Sequence, residues 1–142
     1  PDQMGWNGVK ADGVVEIVEE LLKNLPIDPD RVYLAGYSMG GYGTFHILAQ
    51  EPKLFAAGVP IAGGGNPGSA SNFKKVPVWV FHGAKDPTVP VSQSQAMVEA
   101  LKKERAEVKY TEYPEGDHGV VGEVLQTEEL FEWLFEQSRA KK

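Results

Sequence analysis

Hydrophobic residues recur every three or four positions in several stretches of the chain, and this spacing predicts amphipathic helices. The pattern is clearest over residues 11–25, where Pro26 closes the predicted helix, and it returns over residues 92–105 and 123–138. A further helix is predicted over residues 39–50, directly after a glycine-rich turn. The chain therefore contains several helices with one apolar face each.

Short runs rich in apolar and β-branched residues lie between these helices and predict strands over residues 31–37, 55–61, 76–82 and 108–113. The third run is almost entirely apolar, as expected for a strand that is covered on both faces. The glycine-rich residues 63–68 are predicted to form a flexible loop. Strands that alternate with helices indicate a parallel sheet with helices on both faces.

Composition excludes several classes of protein. The 142 residues are 42% hydrophobic and 24% charged, which indicates one folded domain, residues 1–142, with a real core. The net charge of −6 without a basic stripe disfavours a nucleic-acid partner. The absence of cysteine excludes disulfides, thiolate metal sites and a cysteine nucleophile. No apolar run approaches the roughly 18 residues that would span a membrane.

A serine stands between glycines at the predicted junction of the first strand with the second helix. The segment reads Gly36-Tyr-Ser38-Met-Gly40-Gly41. A nucleophilic serine on a sharp strand-to-helix turn needs small neighbours. We expect Gly36 and Gly40 to give that room, and Gly41 and Gly43 to let the helix approach the sheet. The alternative is a glycine-rich turn that merely leads into a helix.

Residue Met39 follows this serine at the start of the predicted helix. Backbone N–H groups at a helix N-terminus are unpaired and can donate hydrogen bonds to a developing oxyanion. We therefore expect the Met39 N–H to serve as an oxyanion donor.

An acid and a histidine follow later strands in an order that suits the serine. Asp86 lies after the third predicted strand, and His118 lies in a glycine-flanked loop after the fourth. The chain order Ser38, Asp86, His118 is that of α/β-hydrolases. In this interpretation Ser38 attacks an acyl carbon, His118 transfers the proton and Asp86 orients the imidazole. Asp86 could instead cap its own turn, and Asp117 is a rival acid that we rank lower because it directly precedes His118.

The other aromatic and histidine residues have plainer interpretations. His46 on the second helix is expected to be structural, and His82 is expected to hydrogen-bond within the Asp86 loop. Trp6, Trp79 and Trp133 are expected in the core or at its rim. No cluster of residues has the spacing of a metal site, so we predict neither metal nor cofactor.

Three segments resemble a known family. Residues 27–44, which contain the serine motif, 77–86 and 132–137 are similar to esterases related to feruloyl esterases and polyhydroxybutyrate depolymerases, and most similar to a branch labelled predicted peptidases. The resemblance implies an α/β-hydrolase fold, hydrolysis of carboxylic esters, no cofactor and often secretion. It also implies a Ser38, Asp86 and His118 triad with Met39 as oxyanion donor.

The chain differs from that family at its N-terminal end. Family members have more strands, and the strand before the first helix would end near residues 1–3. We expect the loop that supplies the second oxyanion N–H to lie outside these 142 residues, and the loss of one such donor costs roughly 10²–10³ in rate. Residues 31–37 would form an unpaired apolar edge. We therefore expect the C-terminal part of an α/β-hydrolase, which an N-terminal chain or a homo-oligomer would complete.

The leading functional prediction is a serine carboxylesterase that acts on a small-molecule ester of a small or aromatic acid. A serine peptidase ranks lower because no feature is dedicated to peptide binding. A non-catalytic C-terminal fragment or subunit, which needs an N-terminal partner, is the contrasting alternative. The short, glycine-rich residues 63–75 leave little room for a lid and predict an open site.

Overall fold

The computed structural model describes residues 5, 6 and 8–141. Its strands are β1 (Tyr33–Tyr37), β2 (Ala57–Ile61), β3 (Val78–Gly83) and β4 (Val108–Tyr113). Its α-helices are α1 (Gly8–Asn24), α2 (Met39–Gln50), α3 (Ser92–Lys103), α4 (Val121–Leu125) and α5 (Glu128–Glu136). Short 3-10 helices occupy Pro67–Asn72 and Arg139–Lys141. All of these helices were predicted except the 3-10 helices and the division between α4 and α5.

The four strands form one parallel sheet in the order β1-β2-β3-β4. Each strand pairs with its neighbour in sequence, with Tyr33 opposite Ala57 and Val78 opposite Val108. Parallel neighbours need crossovers, and a helix fills each of the connections β1–β2 and β3–β4. This architecture confirms the predicted α/β fold class with four parallel strands.

Apolar side chains from the sheet enter two separate clusters, one on each face. On β3, Val78 and Val80 pack with α1, α2 and α3, whereas Trp79 and Phe81 pack with α4 and α5. Every residue of β3 is buried. The prediction of helices on both faces and of a fully covered third strand is therefore confirmed.

Two predicted elements are wrong in detail. The helix predicted over residues 123–138 is divided, because Thr127 has an extended backbone with φ −80° and ψ 101°. The break turns the chain so that Val124 and Leu130 both enter the same cluster. The loop predicted over residues 63–68 ends earlier, since a 3-10 helix begins at Pro67 and the Asn66 side chain accepts a hydrogen bond from the Gly68 N–H at its start.

Strand β1 lies at an edge of the sheet. The Val32 carbonyl and the Ser38 N–H bond to residues at the two ends of β2, at 2.7 and 2.9 Å. Because backbone groups alternate in direction along a strand, those of Tyr33, Ala35 and Tyr37 point away from β2. The strand expected near residues 1–3 lies outside the described residues. Within the described part of the chain, no helix combines the length and apolar character needed to cross a membrane.

Candidate active site

Residue Ser38 occupies the sharp turn between β1 and α2. Its backbone has φ 56° and ψ −115°, a region that residues other than glycine rarely adopt. The Ser38 N–H donates to the Ile61 carbonyl at 2.9 Å, and the Ser38 carbonyl accepts from Gly41 and Tyr42. Hydrogen bonds of both its N–H and its carbonyl therefore hold the Ser38 backbone in this strained conformation.

Two of the four neighbouring glycines are required by space, as predicted. A Cβ added at Gly36 would lie 2.1 Å from the Gly40 carbonyl oxygen. A Cβ at Gly41 would lie 2.7 Å from the Ile61 carbonyl oxygen, so this glycine lets α2 approach the sheet. Both contacts are to backbone, which cannot move aside cheaply.

The interpretation of the other two glycines is wrong. A Cβ added at Gly40 would meet nothing within 4 Å, so steric crowding does not require glycine at this position. A Cβ at Gly43 would lie 2.4 Å from the Trp6 ring rather than against the sheet. The Trp6 indole N–H also donates to the Met39 carbonyl at 2.6 Å, so this tryptophan holds the first turn of α2.

The carboxylate of Asp86 follows β3 and its side chain is fully buried. Its Oδ1 accepts the N–H groups of Thr88 and Val89, each at 2.8 Å. Its Oδ2 lies 2.7 Å from Nδ1 of His118. Burial raises the pKa of the Asp86 carboxyl, but the hydrogen bonds from His118, Val89 and Thr88 together outweigh it and lower the pKa below its usual value.

The imidazole of His118 links this carboxylate to the serine. Because an ionised carboxylate can only accept, Nδ1 of His118 carries the hydrogen and donates to Asp86. Nε2 then accepts from the Ser38 hydroxyl, whose Oγ lies 2.8 Å away. The structure therefore brings Ser38, His118 and Asp86 into one continuous chain of hydrogen bonds, which can pass the serine proton to the imidazole.

A neighbour of the serine holds the histidine loop. The Tyr37 hydroxyl donates to the His118 carbonyl at 2.7 Å, and the two rings lie 5.1 Å apart. Sequence reasoning missed this contact because 81 positions separate the residues. The same limit applies to Trp6, which meets Met39 across 33 positions.

The remaining candidates behave largely as expected. Asp117 accepts from the Gly119 N–H at 2.7 Å and so caps its own loop. His82 lies 2.9 Å from the Val89 carbonyl, within the Asp86 loop as predicted. Trp79 is buried, and Trp6 and Trp133 are partly buried against the two clusters.

No group of three or more potential metal ligands occurs among the described residues. A cavity of about 450 Å³, lined by Phe55 and Val76 among others, lies at the amino ends of β2 and β3. Ser38 lies at the opposite, carboxyl edge of the sheet, so this cavity is not part of the site. The serine itself is partly exposed and the Met39 side chain is exposed beside it.

The parallel sheet, the strained serine between β1 and α2, and the acid and histidine after later strands define the α/β-hydrolase class. A model of the phospholipase/carboxylesterase family matches residues 9–131. The chain belongs to this family.

Three known proteins show how far the likeness extends. The bifunctional acetylxylan esterase/xylanase XynS20E of Neocallimastix patriciarum is 31% identical over 106 residues, which are 71% of this chain and 16% of that protein. The crystal structure of a thermostable esterase is 38% identical with a TM-score of 0.84, over 93% of this chain and 38% of that one. The acylaminoacyl peptidase of Pyrococcus horikoshii has a TM-score of 0.80 at 23% identity, over 93% of this chain and 28% of that one, and shows the fold alone.

The chain thus spans well under half the length of these three relatives. The comparisons support a hydrolase of the esterase type. The narrower resemblance to feruloyl esterases and polyhydroxybutyrate depolymerases stays a prediction.

Proposed function

We propose that this protein is a serine carboxylesterase that hydrolyses esters of small or aromatic acids through an acyl-enzyme. The observation that carries the proposal is the chain of hydrogen bonds from Ser38 through His118 to Asp86, at 2.8 and 2.7 Å. In this proposal Ser38 is the nucleophile, His118 the general base and acid, and Asp86 the group that orients the imidazole.

The reaction would proceed in two halves. Ser38 Oγ attacks the carbonyl carbon while its proton moves to Nε2 of His118, and the Met39 N–H donates to the developing oxyanion. The C–O bond to the alcohol then breaks, and the alcohol leaves with the proton from Nε2. Water next attacks the acyl-enzyme, gives its proton to Nε2, and the acid leaves as that proton returns to Ser38 Oγ. Throughout, Nδ1–H remains bonded to Asp86.

The matched family and the relatives above 30% identity favour esters over peptides. The matched family is that of phospholipases and carboxylesterases, and two of the relatives above are named esterases. The likeness to the peptidase concerns the fold only. Among the described residues, the His118 side chain is 21% exposed and the Met39 side chain is exposed beside the serine, which supports the predicted open site.

The exposed edge of β1 is the second part of the proposal. Tyr33, Ala35 and Tyr37 direct backbone groups away from β2, and the exposed Phe135 of α5 lies beside the strand, its ring 6.2 Å from that of Tyr33. An unpaired edge with apolar flanks is a template for further strands. We infer that strands from an N-terminal polypeptide cover this edge and supply the second oxyanion donor. A homo-oligomer is the alternative occupant.

The direct test is hydrolysis of p-nitrophenyl acetate by the wild type and by Ser38→Ala. We expect the variant to lose at least about 10³-fold in kcat, because no other group can form the acyl-enzyme. Ser71→Ala is the matched control, since this exposed serine lies outside the site, and it should keep the wild-type rate. Equal rates for the wild type and Ser38→Ala would remove Ser38 as the nucleophile.

The non-catalytic alternative predicts a different result. In that case the 142-residue chain would not react with a fluorophosphonate probe, and labelling would appear only on addition of the N-terminal segment. Labelling of the chain alone would exclude the alternative.

A further inference from the structure

A second histidine contacts the same carboxylate as His118. His82 lies on β3 with a side chain that is completely buried. Its Nε2 is 3.2 Å from Oδ2 of Asp86 and 2.9 Å from the Val89 carbonyl oxygen. Two imidazoles therefore meet one oxygen of Asp86, one from the solvent side and one from the interior.

The partners of His82 fix which atom carries a hydrogen. A carbonyl can only accept, so Nε2 carries a hydrogen and donates it to Val89, with Oδ2 of Asp86 in contact at 3.2 Å. Nδ1 lies 2.7 Å from Oγ of Ser94, which also contacts the Gly63 carbonyl at 2.9 Å. Ser94 lies on α3 and is completely buried. The His82 ring is thus fixed between β3, α3 and the loop after β2.

The two oxygens of Asp86 are held in different ways. Oδ1 is fixed by two backbone N–H groups of its own loop, from Thr88 and Val89. Among the described residues, Oδ2 has the hydrogen bond from His118 and the contact with His82. His118 is partly exposed and gains and loses a proton on its other nitrogen in each cycle of the proposed reaction. His82, by contrast, is completely buried and takes no part in the proton transfers of the proposed reaction.

We propose that His82, fixed by Ser94, is a positioning residue that keeps Oδ2 of Asp86 directed at His118 during turnover. The proposal rests on the esterase function above. Loss of the buried His82 N–H leaves the Val89 carbonyl unsatisfied, and the loop whose Val89 N–H holds Oδ1 of Asp86 is then free to move. A displacement of about 1 Å in a catalytic group can cost roughly 10² in rate.

The test compares two substitutions of His82 with the wild type and Ser38→Ala. His82→Leu keeps much of the volume but removes the hydrogen bonds with Val89 and Ser94 and the contact with Asp86. His82→Gln keeps an amide N–H near the position of Nε2. We expect kcat to fall by roughly 10- to 100-fold in His82→Leu with KM within about twofold, and most of the loss to be restored in His82→Gln. Far-UV circular dichroism and the urea midpoint would establish that each variant is folded.

A second variant and a second readout keep the test decisive. Ser94→Ala removes the support of the His82 ring without contacting Asp86, and a several-fold loss of kcat is expected even where His82→Leu does not fold. The proton on Nδ1 of His118 should give a downfield ¹H resonance in the wild type and in His82→Gln, and this signal should broaden or vanish in His82→Leu. This readout needs no substrate.

The outcomes are distinguishable. A wild type that neither hydrolyses the ester nor labels at Ser38 would reject the proposed function, whereas the resonance would still report whether His82 orders the Asp86–His118 pair. A His82→Leu protein with wild-type kcat and an unchanged resonance would overturn the positioning role. Equal losses of kcat in His82→Leu and His82→Gln, in proportion to the fall in the urea midpoint, would also overturn the positioning role. They would indicate that His82 is purely structural.

Discussion

Ser38 combines a strained backbone with a side chain that accounts for the proposed chemistry. Its φ of 56° and ψ of −115° cost of order 1–3 kcal/mol for a residue with a Cβ. The hydrogen bonds to Ile61, Gly41 and Tyr42 hold this conformation. The strain keeps the serine in position to meet Nε2 of His118 at 2.8 Å. The folded protein therefore gives up stability at the residue on which the proposed activity depends.

This strain predicts an ordering of two inactive variants. Ser38→Gly should unfold at a higher urea concentration than Ser38→Ala, because glycine adopts positive φ without steric cost while alanine does not. We expect a difference of about 1 kcal/mol in the free energy of unfolding, after the larger chain entropy of glycine is included. Both variants lose the hydroxyl, so each is the control for the other. An alanine variant as stable as the glycine variant would show that the turn is not strained.

The lowered pKa of Asp86 predicts a pH dependence of stability. A carboxyl whose pKa is lower in the folded state contributes stability above its unfolded pKa of about 3.9 and loses it as the pH falls through the folded pKa. Asp86→Asn should therefore reduce the free energy of unfolding most at neutral pH, by about 1–3 kcal/mol. The difference from the wild type should shrink as the pH falls below about 4.

Urea titrations at several pH values measure this difference. Asp28→Asn is the matched control, since its carboxylate accepts the Asp30 N–H in the turn before β1, away from the Asp86 bonds. A gap between the wild type and Asp86→Asn that is the same at pH 7 and in acid would contradict the assignment.

At the scale of elements, the periodicity of hydrophobic residues predicted the features that depend on burial. It missed the features that depend on backbone geometry. The existence of β1 to β4 and of α1 to α3 follows from apolar spacing, because each element must bury one face or both. Their ends were less predictable, since Phe55, Ala56 and Val76 are buried before the strands begin and hydrophobicity reports burial rather than pairing. The break at Thr127 is set by one extended residue and has no periodic signal.

The glycines of the serine turn predict a contrast between neighbouring positions. Gly36→Ala places a methyl group 2.1 Å from the Gly40 carbonyl oxygen and should lower the free energy of unfolding by about 1–3 kcal/mol or more. Gly40→Ala meets nothing within 4 Å and lies inside α2, so its stability should be unchanged or slightly higher. Thermal unfolding of both variants measures the contrast. Equal destabilisation would show that the turn is packed differently from this description.

At the scale of the whole molecule, the topology assembles the site. Parallel strands place their carboxyl ends at one edge of the sheet, so the residues after β1, β3 and β4 meet although 80 positions separate Ser38 from His118. The order of the three residues along the chain was enough to predict that they meet at one edge of the sheet. The contacts from Tyr37 and Trp6 could not be predicted, because they depend on side-chain positions that no local pattern encodes, whereas the bond of His82 within the Asp86 loop was predicted.

The open edge of β1 predicts a pattern of amide hydrogen exchange. In the 142-residue chain, the amides of Tyr33, Ala35 and Tyr37 should exchange fast, while those of Leu34 and Gly36, which point toward β2, should be protected. A longer polypeptide that supplies neighbouring strands should protect all five. The alternating residues are internal controls. Protection of all five amides in a monomeric 142-residue chain would contradict an open edge.

We propose that Ser38 is a nucleophile activated by His118 and Asp86. Reaction of the wild-type chain with a fluorophosphonate, followed by mass spectrometry of the digested protein, tests this role directly. We expect a single covalent adduct on the peptide that contains Ser38, strongly reduced labelling in His118→Ala and none in Ser38→Ala. An adduct on another residue, or labelling of Ser38 at the same rate without His118, would contradict it.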